Sequence, residues 1–192
     1  MHKIWIADDD EAIRLVLEES LKDSGFKTES FSCGEDLIKK LEYAQPDLII
    51  SDVQMPGMLG YDLLKHINNN FDSIPVIIMT AFADMQAAVD SFGGGAFEYL
   101  PKPFDLEEAT GIIERALEEK PKTKGLKQDT KLDIIGESNA MQNVYRSIGK
   151  LSSTIATVLI QGESGTGKEL IAKSLHKNSP RHDMPFIALN MA

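Results

Sequence analysis

DLIISD, residues 47–52, decides the fold. Leu48, Ile49 and Ile50 follow one another without a polar break, and the run stops at Ser51 and the carboxylate of Asp52. A strand that is apolar on both faces belongs inside a parallel sheet covered by helices on each side. PVIIM (75–79) has the same character and leads into Thr80. Upstream, KIWIA (3–7) stops at Asp8-Asp9-Asp10. Phe26–Phe31 and Phe97–Leu100 supply two more strands, the second followed closely by Lys102-Pro103. Between these runs, apolar spacing predicts helices over 11–24, 35–43, 60–69, 84–92 and 105–119. The first carries Ile13, Val16, Leu17 and Leu21 on one stripe, with Gly25 just past its end. Five strands and five helices in strict alternation specify an α/β fold, a parallel sheet wound on both faces.

In such sheets ligands bind beyond the carboxyl ends of the strands. Asp8, Asp9, Asp52, Thr80 and Lys102 all fall there. Each has an ordinary reading alone: aspartates at a solvated helix start, a strand-end turn, a lysine before proline. Their arrival in register at four strand ends points to one site. Clustered carboxylates repel, so a divalent cation is the simplest partner, and Mg2+ needs only one or two of them besides water. Asp9 and Asp52 are the expected direct ligands. Asp8 acts through water, and the Gln54 backbone carbonyl adds an oxygen. The metal also offsets repulsion between Asp52 and an incoming phosphoryl group, which makes Asp52 a candidate nucleophile toward phosphorus. Lys102 would neutralise one phosphoryl oxygen, and the Thr80 hydroxyl would hydrogen-bond another.

The 192 residues are 42% hydrophobic and 26% charged, a globular composition. The net charge of −10 is uneven. Residues 1–120 hold 24 acids against 10 bases, and residues 121–192 hold 6 acids against 10 bases. The acidic first part argues against nucleic-acid binding there. The mildly basic second part suits a polyphosphate better than DNA. Cys33 is the single cysteine, so no internal disulfide framework exists, in keeping with a reducing compartment. No charged-then-apolar leader is expected before the first strand, and no apolar run approaches the about 20 residues of a membrane span. A soluble, cytoplasmic protein without membrane contact is expected.

Glu119–Lys131 (EKPKTKGLKQDTK) has five lysines, a proline and a glycine, and reads as a linker. The expected division is 1–119, a linker over 120–131, and a second unit over 132–192. In that unit Ser138 would cap a helix running to about Leu151. A strand over 156–161, a helix over 168–176 and a strand over 186–189 follow. Between strand and helix lies GESGTGKE: Gly162, Glu163, Ser164, Gly165, Thr166, Gly167, Lys168 and Glu169. The glycines let successive backbone N–H groups wrap a polyphosphate at a helix N-terminus, and Lys168 reaches its outer phosphates. ATP is the expected ligand. Glu169 stands where a magnesium-binding hydroxyl usually follows the lysine, which leaves that metal contact in question. In the first unit, Gly93-Gly94-Gly95 predicts a frayed helix end, since glycine weakens a helix by about 1 kcal/mol against alanine.

Residues 3–119 resemble bacterial response-regulator receiver domains through DDD (8–10), SDVQMPGMLG (51–60), MTAFAD (79–84) and AFEYLPKPF (96–104). The resemblance implies a flavodoxin-like fold, with phosphoryl transfer from a sensor histidine kinase to Asp52. It also implies a cis Lys102-Pro103 bond and a switch pair, Thr80 and Tyr99, in which Tyr99 changes exposure. Leu59 departs from the aspartate often found in the MPG-x-x-G turn, with little expected effect. IIGES (134–138), GESGTGKE (162–169) and MPFIALNMA (184–192) resemble the sigma-54-interacting AAA+ ATPase domain of bacterial enhancer-binding proteins. Together the two halves resemble the nitrogen regulatory protein C class of response regulators. That resemblance gives Ile134–Gly136 a role in holding adenine. It implies self-association through the receiver, and it implies sigma-54 RNA polymerase and enhancer DNA as partners of a full-length protein, at nitrogen-assimilation genes. The second acidic motif, the sigma-contacting loop, the arginine finger and the DNA reader of that class would lie beyond Ala192. The 132–192 unit is therefore expected to be an incomplete domain, marginal alone, with weak ATP affinity and no turnover. The alternative is a stand-alone receiver with a vestigial P-loop tail.

Overall fold

The computed structural model describes residues 1–71, 74–81, 90–92, 94–119, 138–152 and 154–189. Most of the helix expected over 84–92, the 120–131 linker and Ile134–Gly136 lie outside the described residues, although 90–92 are helical.

Five strands form one parallel sheet: β1 (Lys3–Ala7), β2 (Lys27–Phe31), β3 (Leu48–Asp52), β4 (Val76–Thr80) and β5 (Glu98–Pro101). Their order is β2-β1-β3-β4-β5, every neighbour pair being parallel. The period-2 alternation of each strand sorts its side chains between two cores. Ile4, Ile6, Leu48, Ile50, Ile77 and Met79 face α1 (Glu11–Asp23) and α4 (Leu106–Glu118). Trp5, Ala7, Ile49, Val76 and Ile78 face α2 (Gly34–Leu41) and α3 (Gly60–Asn70). The continuous apolar runs follow from this: both faces of β3 and β4 are buried throughout. β2 (KTESF) differs. It is the sheet margin, has no fully buried residue, and pairs Glu29 with Lys40 of α2 at 2.7 Å.

Aspartates set the starts of α1 and α4. The Asp10 carboxylate accepts the Ala12 and Ile13 N–H groups, and Asp105 accepts those of Glu107 and Glu108. Such caps satisfy backbone donors that a helix cannot satisfy itself. At the glycine run, where a frayed end is expected, Gly93 lies outside the described residues. Gly95 N–H donates to Phe92 O and Ala96 N–H to Ser91 O, with Gly95 at φ 88°. That bond pair closes a helix end at a left-handed residue, so the glycine serves as a stop.

α5 (Asn139–Ser152) and α6 (Lys168–Lys177) follow. The strands expected over 156–161 and 186–189 are corrected: neither run pairs with another strand among the described residues. A strand exists through its ladder, and an apolar run without a ladder partner stays open to water. Leu159, Ile187 and Leu189 are accordingly exposed. No helix among the described residues is long and apolar enough to cross a membrane.

Candidate functional site

Parallel strands deliver their last residues to one edge, and the expected side chains gather there. Asp8 follows β1, Asp52 ends β3, Thr80 ends β4, and Lys102 follows β5. Backbone bonds hold the edge together: Lys102 N–H donates to Thr80 O at 2.7 Å, and Val53 N–H to Met79 O at 2.9 Å. The Lys102-Pro103 bond is cis. The Lys102 ammonium sits between two carboxylates, 2.7 Å from Asp8 Oδ2 and 2.6 Å from Asp52 Oδ1. Each carboxylate spends its other oxygen on backbone. Asp10 N–H donates to Asp8 Oδ1, and Gln54 N–H to Asp52 Oδ2.

These groups are nearly dry: the Asp8 side chain is 0% exposed and that of Asp52 7%. Burial pushes the Asp52 carboxyl above its ordinary value, against the opposing pull of Lys102. Burial also works against the Lys102 ammonium, but its hydrogen bonds to Asp52 and Asp8 outweigh that and hold it above the usual lysine value. The site is thus a buried triad of two negative charges and one positive, with an anion surplus.

Thr80 is buried beside the triad. Asp9 and Gln54 are exposed on the rim, and Gln54 meets Asp52 through its N–H. Among the described residues no group of three acidic, histidine or cysteine side chains stands in metal-holding geometry. The donor set still fits a hard cation. Two carboxylate oxygens from separate strands already converge within 2.7 Å of one cationic nitrogen, and magnesium takes one or two such oxygens with water. Tyr99, the expected switch partner of Thr80, is fully buried on β5, packed with Phe92 and Tyr145.

Three residues escape sequence reading. Arg14 of α1 donates from Nη1 to the carbonyls of Asp8 (2.7 Å) and Asp9 (3.0 Å), fixing the acidic turn. Gly60 packs so closely under Asp52 that a Cβ there would lie 2.0 Å from Asp52 O. Glu98 is a buried carboxylate on β5 held by Arg115. Glu98 left a signal as a charge inside an apolar strand, and Gly60 as the closing glycine of the MPG-x-x-G turn.

In the second region Gly165 and Gly167 take φ of 80° and 83°, and Gly167 starts α6. Gly162 through Thr166 are exposed. Lys168 Nζ donates to Gly162 O and Glu163 O, and the Thr166 hydroxyl to Glu163 O. Glu169 pairs with Lys173 one turn on. A glycine turn entering a helix N-terminus with a lysine at its mouth fits a polyphosphate.

The response regulator receiver domain family matches residues 4–114, and the sigma-54 interaction domain family matches residues 134–192. The DNA-binding transcriptional regulator NtrC of Escherichia coli K12 is 50% identical over 98% of this chain and 41% of its own length. NtrC of Rhizobium meliloti is 41% identical over 98% and 40%. The chain thus spans about two fifths of the length of these curated relatives. Among solved structures, a response regulator from Chloroflexus aurantiacus superposes with a TM-score of 0.60 at 31% identity, covering 62% of this chain and 98% of that one. NtrX from Brucella abortus, solved in complex with ATP, superposes with a TM-score of 0.58 at 27% identity, covering 98% of this chain and 43% of that one.

Proposed function

Because the chain belongs to the response regulator family, with a receiver region followed by part of a sigma-54 interaction region, we propose that Asp52 accepts a phosphoryl group from a sensor histidine kinase. The observation that carries this reading is the Lys102 ammonium bridging Asp8 and Asp52 at the strand ends. An Asp52 carboxylate oxygen attacks phosphorus, the P–N bond to the donor histidine breaks, and the leaving imidazole nitrogen takes the electron pair. Burial makes that oxygen more basic, and Lys102 keeps it anionic. The Lys102 ammonium can then move to a phosphoryl oxygen, and the Thr80 hydroxyl can donate to a second. Mg2+, held by Asp52 with Asp8 or Asp9 and the Gln54 carbonyl, would supply charge neutralisation at the phosphoryl group. Arg14 positions the turn that carries both aspartates.

In a longer protein carrying this chain, phosphorylation would control a sigma-54-dependent activator of nitrogen-assimilation genes, acting on sigma-54 polymerase from enhancer DNA. The GESGTGKE loop would bind ATP there. In the 192-residue chain we expect weak ATP binding without turnover, in keeping with the uncovered Leu159, Ile187 and Leu189.

Incubation with acetyl phosphate and magnesium chloride, read by intact mass, tests the central claim. The chain should gain one phosphoryl group and Asp52→Asn none. An unmodified parent, or an Asp52→Asn variant modified equally, would overturn it.

A further inference from the structure

Three carboxylates follow one another after β1, and each is occupied differently. Asp8 is buried and divides its oxygens between Lys102 Nζ and the Asp10 N–H. Asp10 is spent on capping α1, where it accepts from Ala12 and Ile13. The Asp9 side chain is exposed and has no hydrogen-bond or ion-pair partner among the described residues. Its main chain, by contrast, is pinned. A single nitrogen, Arg14 Nη1, donates to Asp8 O at 2.7 Å and to Asp9 O at 3.0 Å. The Arg14 N–H also donates to Asp10 O at 3.1 Å, which ties the turn to the first turn of α1. Backbone angles restrict the rotamers open to a side chain, so a fixed 8–9 backbone limits the directions open to the Asp9 carboxylate.

We propose that Arg14 is a positioning residue for the divalent cation: by presetting the 8–10 turn it raises the affinity of the Asp9 and Asp52 carboxylates for Mg2+. This rests on the reading of that pocket as the magnesium site of an Asp52 phosphoacceptor, and adds a residue that touches neither metal nor phosphoryl group. Two effects of Arg14 oppose each other, and they differ in sign. Its positive charge, taken alone, weakens the pull of the carboxylates on a cation, so its removal would tighten binding. Its hold on the turn works the other way, because groups that orient a metal ligand from behind contribute about 10–100-fold in affinity. The structure favours the second effect. Both carbonyls accept charge-assisted bonds, and Asp8 is 0% exposed. Without Arg14 the Asp8 carbonyl would have to turn in search of another donor, and the Asp9 backbone would turn with it.

The test titrates magnesium chloride into the whole 192-residue chain. NMR follows the Asp10 and Gln54 amides, whose N–H groups donate to Asp8 and Asp52. Methionine and lysine favour helices about as well as arginine, so either substitution suits α1, and Trp5 fluorescence checks folding. Arg14→Met should weaken magnesium binding by about tenfold. Arg14→Lys keeps the charge but loses the planar fork, and should weaken it by about threefold. Unchanged or tighter binding in Arg14→Met overturns the proposal. If that variant does not fold, Arg14→Lys decides, and an affinity equal to the parent's overturns it. Intact mass after incubation with acetyl phosphate gives a second reading. The magnesium concentration for half-maximal phosphorylation should rise by the same factor as the NMR affinity falls, with most of the rate recovered at saturating metal. A rate that saturating magnesium does not restore, at parent-like affinity, places Arg14 in the transfer itself and overturns the positioning role. A parent chain whose two amides ignore magnesium refutes the metal site and this inference with it. A parent that binds magnesium but takes no phosphoryl group refutes the reading of Asp52, while a weakened Arg14→Met still supports the positioning role.

Discussion

Replacing Lys102 by methionine removes the ammonium and keeps most of the aliphatic stem. Asp8 and Asp52 would then face each other, almost without solvent, across the space the ammonium had filled. Removing one partner of a buried ion pair costs about 3–5 kcal/mol. Lys102 is 17% exposed, so the lower end applies, about 3 kcal/mol, or a fall of about 6–12 °C in Tm for a chain of this size. The loss should not be constant. Acidification toward about pH 5 lets one carboxylate take a proton, which removes the repulsion. Magnesium chloride supplies another cation. Denaturant unfolding followed by the fluorescence of Trp5, the single tryptophan and fully buried, measures all three conditions. A variant within about 1 kcal/mol of the parent at neutral pH without metal would refute the argument. So would a deficit that neither acid nor magnesium reduces.

Asp52→Asn should stabilise the chain near neutral pH. Burial raises the Asp52 pKa above 3.8, so the folded state binds its proton more tightly than the unfolded state. The resulting penalty appears as pH rises from 3.8 through the folded value. Matched unfolding curves of parent and variant should therefore converge below that window and diverge above it. Gly60→Ala would press a methyl group into the Asp52 carbonyl, 2.0 Å from its ideal Cβ position. A loss of about 1–3 kcal/mol in unfolding, with slower phosphorylation from acetyl phosphate by intact mass, is expected. Lys168→Ala should weaken ATP binding by about tenfold in calorimetric titration, since it removes the cation at the mouth of the loop. Phosphorylation of Asp52 should be unaffected.

The sheet was legible because a buried parallel strand needs no partner to be recognised. LIIS and VIIM are apolar on both faces, and their ends carried the site to one edge. Which of two adjacent aspartates enters the site was less legible. Alternation along β1 continues into Asp8, which is buried, and leaves Asp9 exposed. Arg14 acts on backbone carbonyls, and such contacts have no compositional signature. The runs 156–161 and 186–189 have strand composition, but pairing is non-local. No local pattern supplies a ladder partner. Glu98 was visible as an anomaly on β5, yet its meaning depends on Arg115 and Lys150, 17 and 52 residues away.

The margin strand β2 has a consequence for handling and assembly. A bare edge of a parallel sheet invites a foreign strand to add on, and charged side chains are a common defence. Lys27 is exposed on that margin, and Glu29 is tied to Lys40 of α2. An incoming strand would have to desolvate the lysine and break the pair before gaining a ladder. Addition of a strand on the β2 rim is thereby disfavoured.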